Sequence, residues 1–342
     1  MNQLIPAYFA TLDSFIEILI DHHIVPLYAP FAHGYGWKGR RSIGAQLVPE
    51  EYERYFKYLL ARYGSSPAFW LLSLDNNGQT PGVQECGEIS ERWDAYRQPV
   101  GLHYNPHDQT LAGWANGDSS CCFHHNRAFQ DANWLDFQWA QTGHDGLHIY
   151  RKVEEMYAAI PTKANMEGEP TYEGMGEGKL GLGWWQGENA WNQMMHGGTM
   201  GAVYGAACLW QWKITTDEGG WEPWTNAPLS WKEALHLEGS RYVGNISKAF
   251  DGYAFADMEK RGDLVKNHQP LLACPDRFYV SFLPKGGKIR FRKLQAGLPY
   301  RWFDPESGID VEIGITTENE NFKAPAKKPF VLIIGEKLYR TD

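Results

Sequence analysis

The sequence predicts an α/β fold, a TIM-type (β/α) barrel over residues 1–270, followed by a small antiparallel β-sandwich over residues 271–342. Three observations predict it. Apolar runs of strand length alternate with amphipathic helical segments up to about residue 250, which indicates a parallel sheet covered by helices. Residues 276–340 instead contain short period-two stretches separated by turns such as PKGGK and DPESG. The 342 residues are also enough for a barrel and a second module.

The first elements follow from periodicity and from their boundaries. Apolar residues recur at steps of three and four in residues 7–21, which predicts an amphipathic helix. Residues 24–31 (IVPLYAPF) form a predicted buried strand, and the loop after it contains Trp37. A second helix is predicted over residues 49–64, because Pro suits its start and Gly its end. A second buried strand, AFWLLSLDNNG over residues 68–78, ends in a polar turn.

The same alternation continues along the chain. The predicted elements are a helix at 84–97, strands at 99–106 and 135–144, a helix at 146–160, a strand at 162–170, a helix near 184–198, a strand at 202–212 and a helical region at 231–250. Six barrel-type strands result, whereas a closed barrel needs eight. Either two further strands lie in this sequence without a clear pattern, or the first β–α–β unit lies upstream of Met1.

Composition indicates the class of ligand. The chain contains 15 Trp, 18 Tyr and 16 Phe, and such rings stack on the apolar faces of sugars. A large aromatic core is the alternative explanation for any single ring. The net charge of −9 argues against a nucleic-acid partner, and the absence of an 18-residue apolar stretch argues against a membrane span. The N-terminal residues have no basic segment typical of a secretory signal, so the compartment stays open.

Cysteine and histidine spacing predicts neither a metal site nor a disulfide framework. The five cysteines are an odd number without C-x-x-C spacing and are read as free thiols, with Cys208 in the core. The two histidine pairs, at residues 22–23 and 124–125, lack nearby acidic residues at the spacing of metal ligands. We expect no metal and no organic cofactor. There is also no G-x-S-x-G motif, no phosphate-binding loop and no dinucleotide-binding loop.

Two acidic residues end predicted strands, where a barrel carries its catalytic groups. Asp75 follows FWLLSL, and Glu169 follows KANMEG. Hydrolysis of a glycosidic bond needs two carboxyl groups, one on each side of the bond. Asp75 could instead be a helix N-cap or form an Asx-turn, and Glu169 could be a solvated loop acid. Glu167 and Glu173 compete with Glu169, and Glu167 could also support the site from one step deeper in the strand.

Other side chains near these strand ends are candidates for binding a sugar. His103 lies in a predicted strand, and His144 closes the turn after another. Trp212 lies nearer than Trp210 to the C-terminal end of the last predicted strand. Together with Trp37, these residues are predicted to bind substrate. Satisfied core histidines and interior tryptophans are the alternatives.

Five segments together resemble the apiosidase-like glycoside hydrolases, a family within the large retaining clan of (β/α)8 enzymes. They are ARYGSSPAFWLLSLDNNG, WLDFQWAQTGH, EGEPTYEG, GAVYGAACLWQW and WKEALHLEGS. RFYVSFLPKGG and YRWFDPESG resemble the small β-domain that often follows that barrel; its name mentions collagen binding, which is not evidence of function. The family's usual opening strand, with a Gly-Asp-Thr-type motif, does not occur in this sequence.

The resemblance implies an acid/base at Asp75 and a nucleophile at Glu169. It also implies that Asn76, Gln141, His144 and Tyr172 line the ligand site. The resulting hypothesis is a retaining glycosidase that cleaves a plant- or microbial-type polysaccharide. A non-catalytic sugar-binding barrel and an inactive truncated fragment are the alternatives, and the oligomeric state stays open.

Overall fold

A computed structural model describes residues 3–31, 48–76, 81–104, 129–210, 213–218, 227–274, 277–317 and 321–337, with only the backbone of residues 75 and 76. The chain forms two compact units. The first comprises residues 1–142 and 155–165, and the second comprises residues 143–154 and 166–342.

The first unit contains a parallel sheet with helices between its strands. Its elements are α1 (Pro6–Asp21), β1 (Leu27–Tyr28), α2 (Pro49–Tyr63), β2 (Phe69–Asn76), α3 (Val83–Trp93), β3 (Val100–Tyr104), β4 (Phe137–Gln141) and the start of β5 (Ala164–Glu169). The five strands follow one another in chain order across the sheet, and β1–β2, β2–β3 and β3–β4 are parallel pairs. The predicted strand–helix alternation is therefore confirmed for this part of the chain.

The apolar runs that predicted these strands form the core of the first unit. Trp70, Leu71 and Leu72 in β2 are fully buried. The Tyr52 hydroxyl of α2 donates a hydrogen bond to the Leu72 carbonyl at 2.7 Å, and Phe56 of the same helix packs edge-on against Trp70. Helix α2 is thus held on β2 by aromatic packing and by one buried hydrogen bond.

The second unit contains the remaining helices and an antiparallel sheet. Its elements are α5 (Met175–Gly178), α6 (Trp184–Met195), α7 (Ala207–Trp210), α8 (Trp231–Ala234), α9 (Gly239–Phe250), β6 (Glu259–Lys260), β7 (Leu272–Cys274), β8 (Phe278–Leu283), β9 (Lys288–Arg290), β10 (Pro299–Asp304), β11 (Ile309–Ile315), β12 (Asn321–Lys323) and β13 (Phe330–Gly335). Helix α4 (Arg151–Ala158) spans the boundary between the units.

The central strands of the antiparallel sheet, β8 and β13, are buried on both faces, whereas the edge strand β11 is largely exposed. Its six strands are ordered β11-β10-β13-β8-β7-β6, while β9 and β12 form a separate pair. Val280 and Ile333 point to one face and pack with Trp191 of α6 and Ile246 of α9. Their neighbours Tyr279 and Leu332 point to the other face and pack with Ile289 and Phe322 of the β9–β12 pair. Adjacent residues face opposite sides because side chains alternate along a strand. The predicted antiparallel C-terminal sheet is confirmed.

Several predicted element boundaries are wrong. Residues 202–205 have no regular secondary structure, Ala206 makes an isolated bridge with Glu173, and residues 207–210 are helical. Over residues 202–210, the described part of the strand predicted at 202–212, no strand forms. A continuous apolar run does not distinguish a strand from a short buried helix. Trp210 accordingly lies in α7 and not on a strand face.

Two predicted helices are shorter than expected. The one predicted at 146–160 spans Arg151–Ala158, and the carbonyls of Gly146 and Ile149 before it accept hydrogen bonds from side chains of α6. The helical region predicted at 231–250 divides into α8 and α9. Closure of a barrel and the division at residue 270 stay predictions.

Candidate functional site

Glu169 is the last residue of β5, and Pro170 follows it. Glu167 and Glu169 share a face of the strand because side chains alternate along it. The Glu169 backbone N–H donates to Glu167 Oε1 at 3.3 Å, and Glu167 is only 3% exposed. The predicted position of Glu167, one step deeper than Glu169, agrees with its burial.

The Glu169 carboxylate contacts two side chains through one oxygen. The Tyr172 hydroxyl donates to Oε1 at 2.5 Å, and His144 Nε2 lies 3.3 Å from the same atom. The two rings lie next to each other, with centroids 5.2 Å apart. The side chains of Glu169 and His144 are each 18% exposed, so the carboxylate is oriented by its neighbours and still reaches the surface. Three residues that the sequence predicted for the site therefore form one cluster.

The loop after β4 brings His144 to Glu169. Gly143 has a φ of +105°, a conformation that L side chains rarely adopt. The Thr171 hydroxyl donates to the Gly143 carbonyl at 3.3 Å and accepts from the Gly146 N–H at 3.1 Å. These bonds join the segment that carries His144 to the segment that carries Tyr172.

Helix α6 also contacts the same loop. Trp185 Nε1 donates to the Gly146 carbonyl at 2.9 Å, and Gln193 Nε2 donates to the Ile149 carbonyl at 2.9 Å. The rings of His148 and Trp185 stack with centroids 4.8 Å apart. The loop is thus fixed at several points and not only at Thr171.

Glu173, a competitor of Glu169 at the sequence level, has a different environment. It is 2% exposed, and its carboxylate accepts hydrogen bonds from the Gly183 N–H, the Gly239 N–H and the Tyr204 hydroxyl. Burial, together with the neighbouring Glu173 carboxylate, raises the pKa of Tyr204 well above its ordinary range, which keeps this phenol a donor. Spacing and periodicity do not indicate these partners, which lie 10, 31 and 66 residues from Glu173 along the chain.

His103 and Gln141 lie in the first unit, in β3 and β4. His103 is 2% exposed and pairs in register with Trp139, their rings meeting edge-on at 6.1 Å. Gln141 is two residues after Trp139, so it shares that face of the sheet, and it is 4% exposed. Trp139 was not predicted for the site, although its period-two relation to Gln141 is the signal that could have identified it.

Asp75 and Asn76 are the last two residues of β2, and their side chains lie outside the described part of the structure. Helix α3 begins at Val83 with Gly82 as its N-cap, so the alternative that Asp75 caps this helix is wrong. Trp37 and Trp212 lie outside the described residues. The separation of the Asp75 and Glu169 carboxyl groups stays a prediction.

Metal-ligand geometry and membrane-spanning helices were also sought in the described ranges. Within them, no group of three or more His, Cys, Asp or Glu side chains could hold a metal ion. No helix in these ranges has both the length and the apolar character needed to cross a bilayer. Cys86, Cys208 and Cys274 are free thiols, and Cys208 is buried as predicted.

Comparison with solved structures shows which known folds this chain resembles. A solved structure described as a glycoside hydrolase is similar over 99% of this chain and 79% of its own, with a TM-score of 0.76 and 17% sequence identity. A glycoside hydrolase family 5 protein from Bacteroides vulgatus gives a TM-score of 0.76 at 17% identity, over 99% of this chain and 77% of its own. At this identity the likeness establishes a shared fold. No curated protein sequence matches significantly.

The sequence profile of a family described as apiosidase-like, catalytic domain, matches residues 1–257. This is 257 of 342 residues, and it includes Asp75, His144, Glu169 and Tyr172. The resemblance of the C-terminal segments to a small β-domain stays a prediction. The resemblance inferred from the five segments before residue 257 is confirmed, and the chain belongs to the apiosidase-like family of catalytic domains.

Proposed function

We propose that this chain is a glycoside hydrolase that cleaves a plant- or microbial-type polysaccharide with retention of anomeric configuration. Family membership supports glycosidase activity. The observation that carries the proposal is the Glu169 carboxylate at the end of a parallel strand, oriented through Oε1 by Tyr172 and His144. A TIM-type barrel is the fold we propose around it, since catalytic groups of such barrels lie at the C-terminal strand ends.

In the proposed mechanism Glu169 is the nucleophile. It attacks the anomeric carbon while Asp75 protonates the departing glycosidic oxygen, which produces a covalent glycosyl-enzyme. Asp75 then removes a proton from water, the water attacks the anomeric carbon, and Glu169 leaves as a carboxylate. This mechanism requires the two carboxyl groups to be about 5 Å apart.

Tyr172 and His144 have supporting roles in this scheme. A hydrogen bond from a phenol stabilises an ionised carboxylate and limits its rotation. His144 Nε2 can donate to the same oxygen when that nitrogen carries a proton. Glu169 would thereby meet the substrate in one orientation, which reduces the entropy lost on reaching the transition state.

The remaining predicted residues would bind the sugar. His103, Gln141 and Asn76 offer polar groups at the ends of neighbouring strands, and Trp37 and Trp212 offer apolar faces. We propose that the sugar stacks on the aromatic rings while its hydroxyls bond to the polar side chains. Neither a metal ion nor an organic cofactor enters the proposed reaction.

The proposal is tested by separate Glu169→Ala and Asp75→Ala substitutions, assayed on a panel of aryl glycosides and plant polysaccharides. Each substitution should lower kcat/KM by about three orders of magnitude or more, as for other paired catalytic groups. A 2-deoxy-2-fluoro glycoside should label the wild-type enzyme at Glu169, detectable by mass spectrometry of the peptide. Proton NMR of the first product should show the retained anomer.

Glu177→Ala is a suitable control, because Glu177 is an exposed acid in the same region whose side chain is 69% accessible. It should keep normal turnover. A Glu169 variant with near-normal turnover would contradict the assignment of the nucleophile. An inverted first product would instead reject retention while leaving hydrolysis intact.

A further inference from the structure

Glu173 joins three distant segments of the second unit. Its Oε1 accepts from the Gly183 N–H at 2.8 Å, and its Oε2 accepts from the Tyr204 hydroxyl at 2.7 Å and from the Gly239 N–H at 3.0 Å. Each donor belongs to a different part of the chain. A buried carboxylate with three donors is well stabilised, whereas losing its charge would weaken all three bonds.

The backbone of Glu173 binds the segment 204–207 a second time. Its N–H donates to the Gly205 carbonyl at 2.8 Å, and its carbonyl accepts from the Ala207 N–H at 3.0 Å. Tyr204 and Gly205 are therefore held to Glu173 by side-chain and backbone bonds together. Ala206 and Ala207 are buried in a cluster that also contains Met175 and Ala227, which reduces the freedom of this segment further.

The Tyr172 ring lies directly on Gly205. A Cβ at residue 205 would be 2.6 Å from Tyr172 Cδ1, a distance that real side chains essentially never show, and 3.0 Å from Cε1, which is also tight. The absence of a side chain at Gly205 thus allows the ring to reach its position. That position determines where the Tyr172 hydroxyl meets Glu169 Oε1, at 2.5 Å.

We propose that Glu173 is a positioning residue that acts through Gly205 and Tyr172 on Glu169. Glu173 holds residues 204–207, these residues form the surface against which Tyr172 packs, and Tyr172 orients the proposed nucleophile. The inference rests on the proposed function for its catalytic consequence, while the packing that it describes is independent of activity.

The catalytic part is tested with Glu173→Gln, Tyr172→Phe and the double variant. Glu173→Gln keeps the shape of the side chain but turns one acceptor oxygen into a donor. We expect kcat to fall about 100-fold with KM changed less than about threefold, since a displacement of 1 Å at a catalytic group costs about that factor. In the Tyr172→Phe background, the same substitution should cost less than about threefold, because the hydroxyl through which it acts is already gone.

Tyr204→Phe provides a milder variant in case Glu173→Gln does not fold. It removes one of the three donors and leaves both backbone N–H groups, so kcat should fall by a smaller factor, again only when Tyr172 is present. If the loss of kcat in the double variant equals the product of the losses in the Glu173→Gln and Tyr172→Phe single variants, the two residues act independently, and the proposal would be overturned. Normal kcat with lowered Tm in both the Glu173→Gln and Tyr204→Phe variants would overturn it too, since Glu173 would then act on stability alone.

A second set of single and double variants is compared by thermal unfolding, so it needs no enzymatic activity. Gly205→Ala should lower Tm by several degrees when Tyr172 is present and have little effect in the Tyr172→Ala background, where the ring is absent. Gly262→Ala is the control, because a Cβ there would meet nothing within 4 Å. If no glycosidase activity is found, this set of variants still tests the packing, and equal Tm losses in both backgrounds would reject it.

Discussion

Gly239 shows how one residue at a helix start can depend on a buried carboxylate. Its N–H donates to Glu173 Oε2 at 3.0 Å. A Cβ at this residue would lie 2.6 Å from Gln186 Cγ and 2.9 Å from the Glu173 carboxyl carbon. Both neighbours are buried, at 2% exposure each, so neither can move toward solvent easily. Close approach, and not helix propensity, therefore explains glycine at the first position of α9.

Substituting Gly239 by alanine should consequently destabilise the protein. We expect the free energy of unfolding to fall by about 1–3 kcal/mol, the usual cost of inserting a methyl group into a packed interior. Urea unfolding followed by circular dichroism measures this change.

Gly244→Ala in the same helix is the matched control, because its Cβ would meet no atom within 4 Å. Alanine is the better helix former, so this variant should be neutral or more stable by up to about 1 kcal/mol. Equal behaviour of the two variants would contradict the role assigned to the Glu173 contact.

The sequence could predict which acids end strands but not how each acid is used. Glu169 and Tyr172 were predicted because strand ends and family motifs are local in the sequence. Glu173 could not be separated from Glu169 in this way, since its partners come from residues 183, 204 and 239. Hydrogen bonds between distant segments leave no trace in spacing or periodicity.

Elements with clear boundary residues were predicted best. Helix α2 was predicted at 49–64 and spans Pro49–Tyr63, since Pro and Glu mark its first turn and Gly64 its end. The strand predicted at 202–212 is wrong for the described residues 202–210, because small residues such as Ala206 and Ala207 suit a strand or a tight helical turn equally well. The backbone of Glu173 binds residues 205 and 207, on either side of Ala206, and such contacts between segments are not visible in the pattern of apolar residues.

The burial of both faces of β13 can be tested at two adjacent residues of this strand. Ile333 packs toward the helices and Leu332 toward the β9–β12 pair, and each is only 1% exposed. Alanine at either position should lower the free energy of unfolding by about 2–5 kcal/mol, because both faces are core. Denaturant unfolding of the two variants measures this.

Ile313→Ala on β11 is the control, since that side chain is 76% exposed. It should change the free energy of unfolding by no more than about 0.5 kcal/mol. A sheet with one solvated face would instead show one costly and one nearly neutral substitution on β13, and this result would reject the two-sided core.

For the molecule as a whole, pH should affect stability through His196. Its ring stacks on Tyr150 at 4.1 Å, and its Nδ1 lies 2.7 Å from the Asn192 carbonyl. Burial lowers the pKa of His196 from its ordinary value of 6.5, more than this hydrogen bond raises it. Below about pH 6.5 the unfolded chain therefore takes up a proton that the folded protein does not, and stability falls as the pH falls.

We expect His196→Gln to remove part of this dependence. The free energy of unfolding, measured by urea denaturation from pH 7.5 to 5, should fall less steeply in the variant than in the wild type. The same substitution at exposed His236 controls for the loss of one histidine. An unchanged slope in His196→Gln would contradict the burial effect.

The two sheets of the chain were predictable from the sequence, while the bounds of their strands were not. The alternation of apolar runs with helical segments predicted a parallel sheet, and the period-two stretches after it predicted an antiparallel one. Both sheets are present. The extent of β1 was overestimated, since it was predicted at 24–31 and is observed at Leu27–Tyr28. Apolar residues outside a hydrogen-bonded strand, such as Ile24 and Val25, are 52% and 45% exposed, so hydropathy alone misplaced this boundary.

The shared interior of the sheet and helices α6 and α9 has a practical consequence for dissecting this protein. The family match ends at residue 257, just before the first strand of the sheet. A chain cut at that point would leave Trp191, Met194 and Ile246 without the strands that they now pack against. The C-terminal strands thus complete the hydrophobic core of α6 and α9, which belong to the region matched by the family. Removing these strands would expose that core and destabilise both helices.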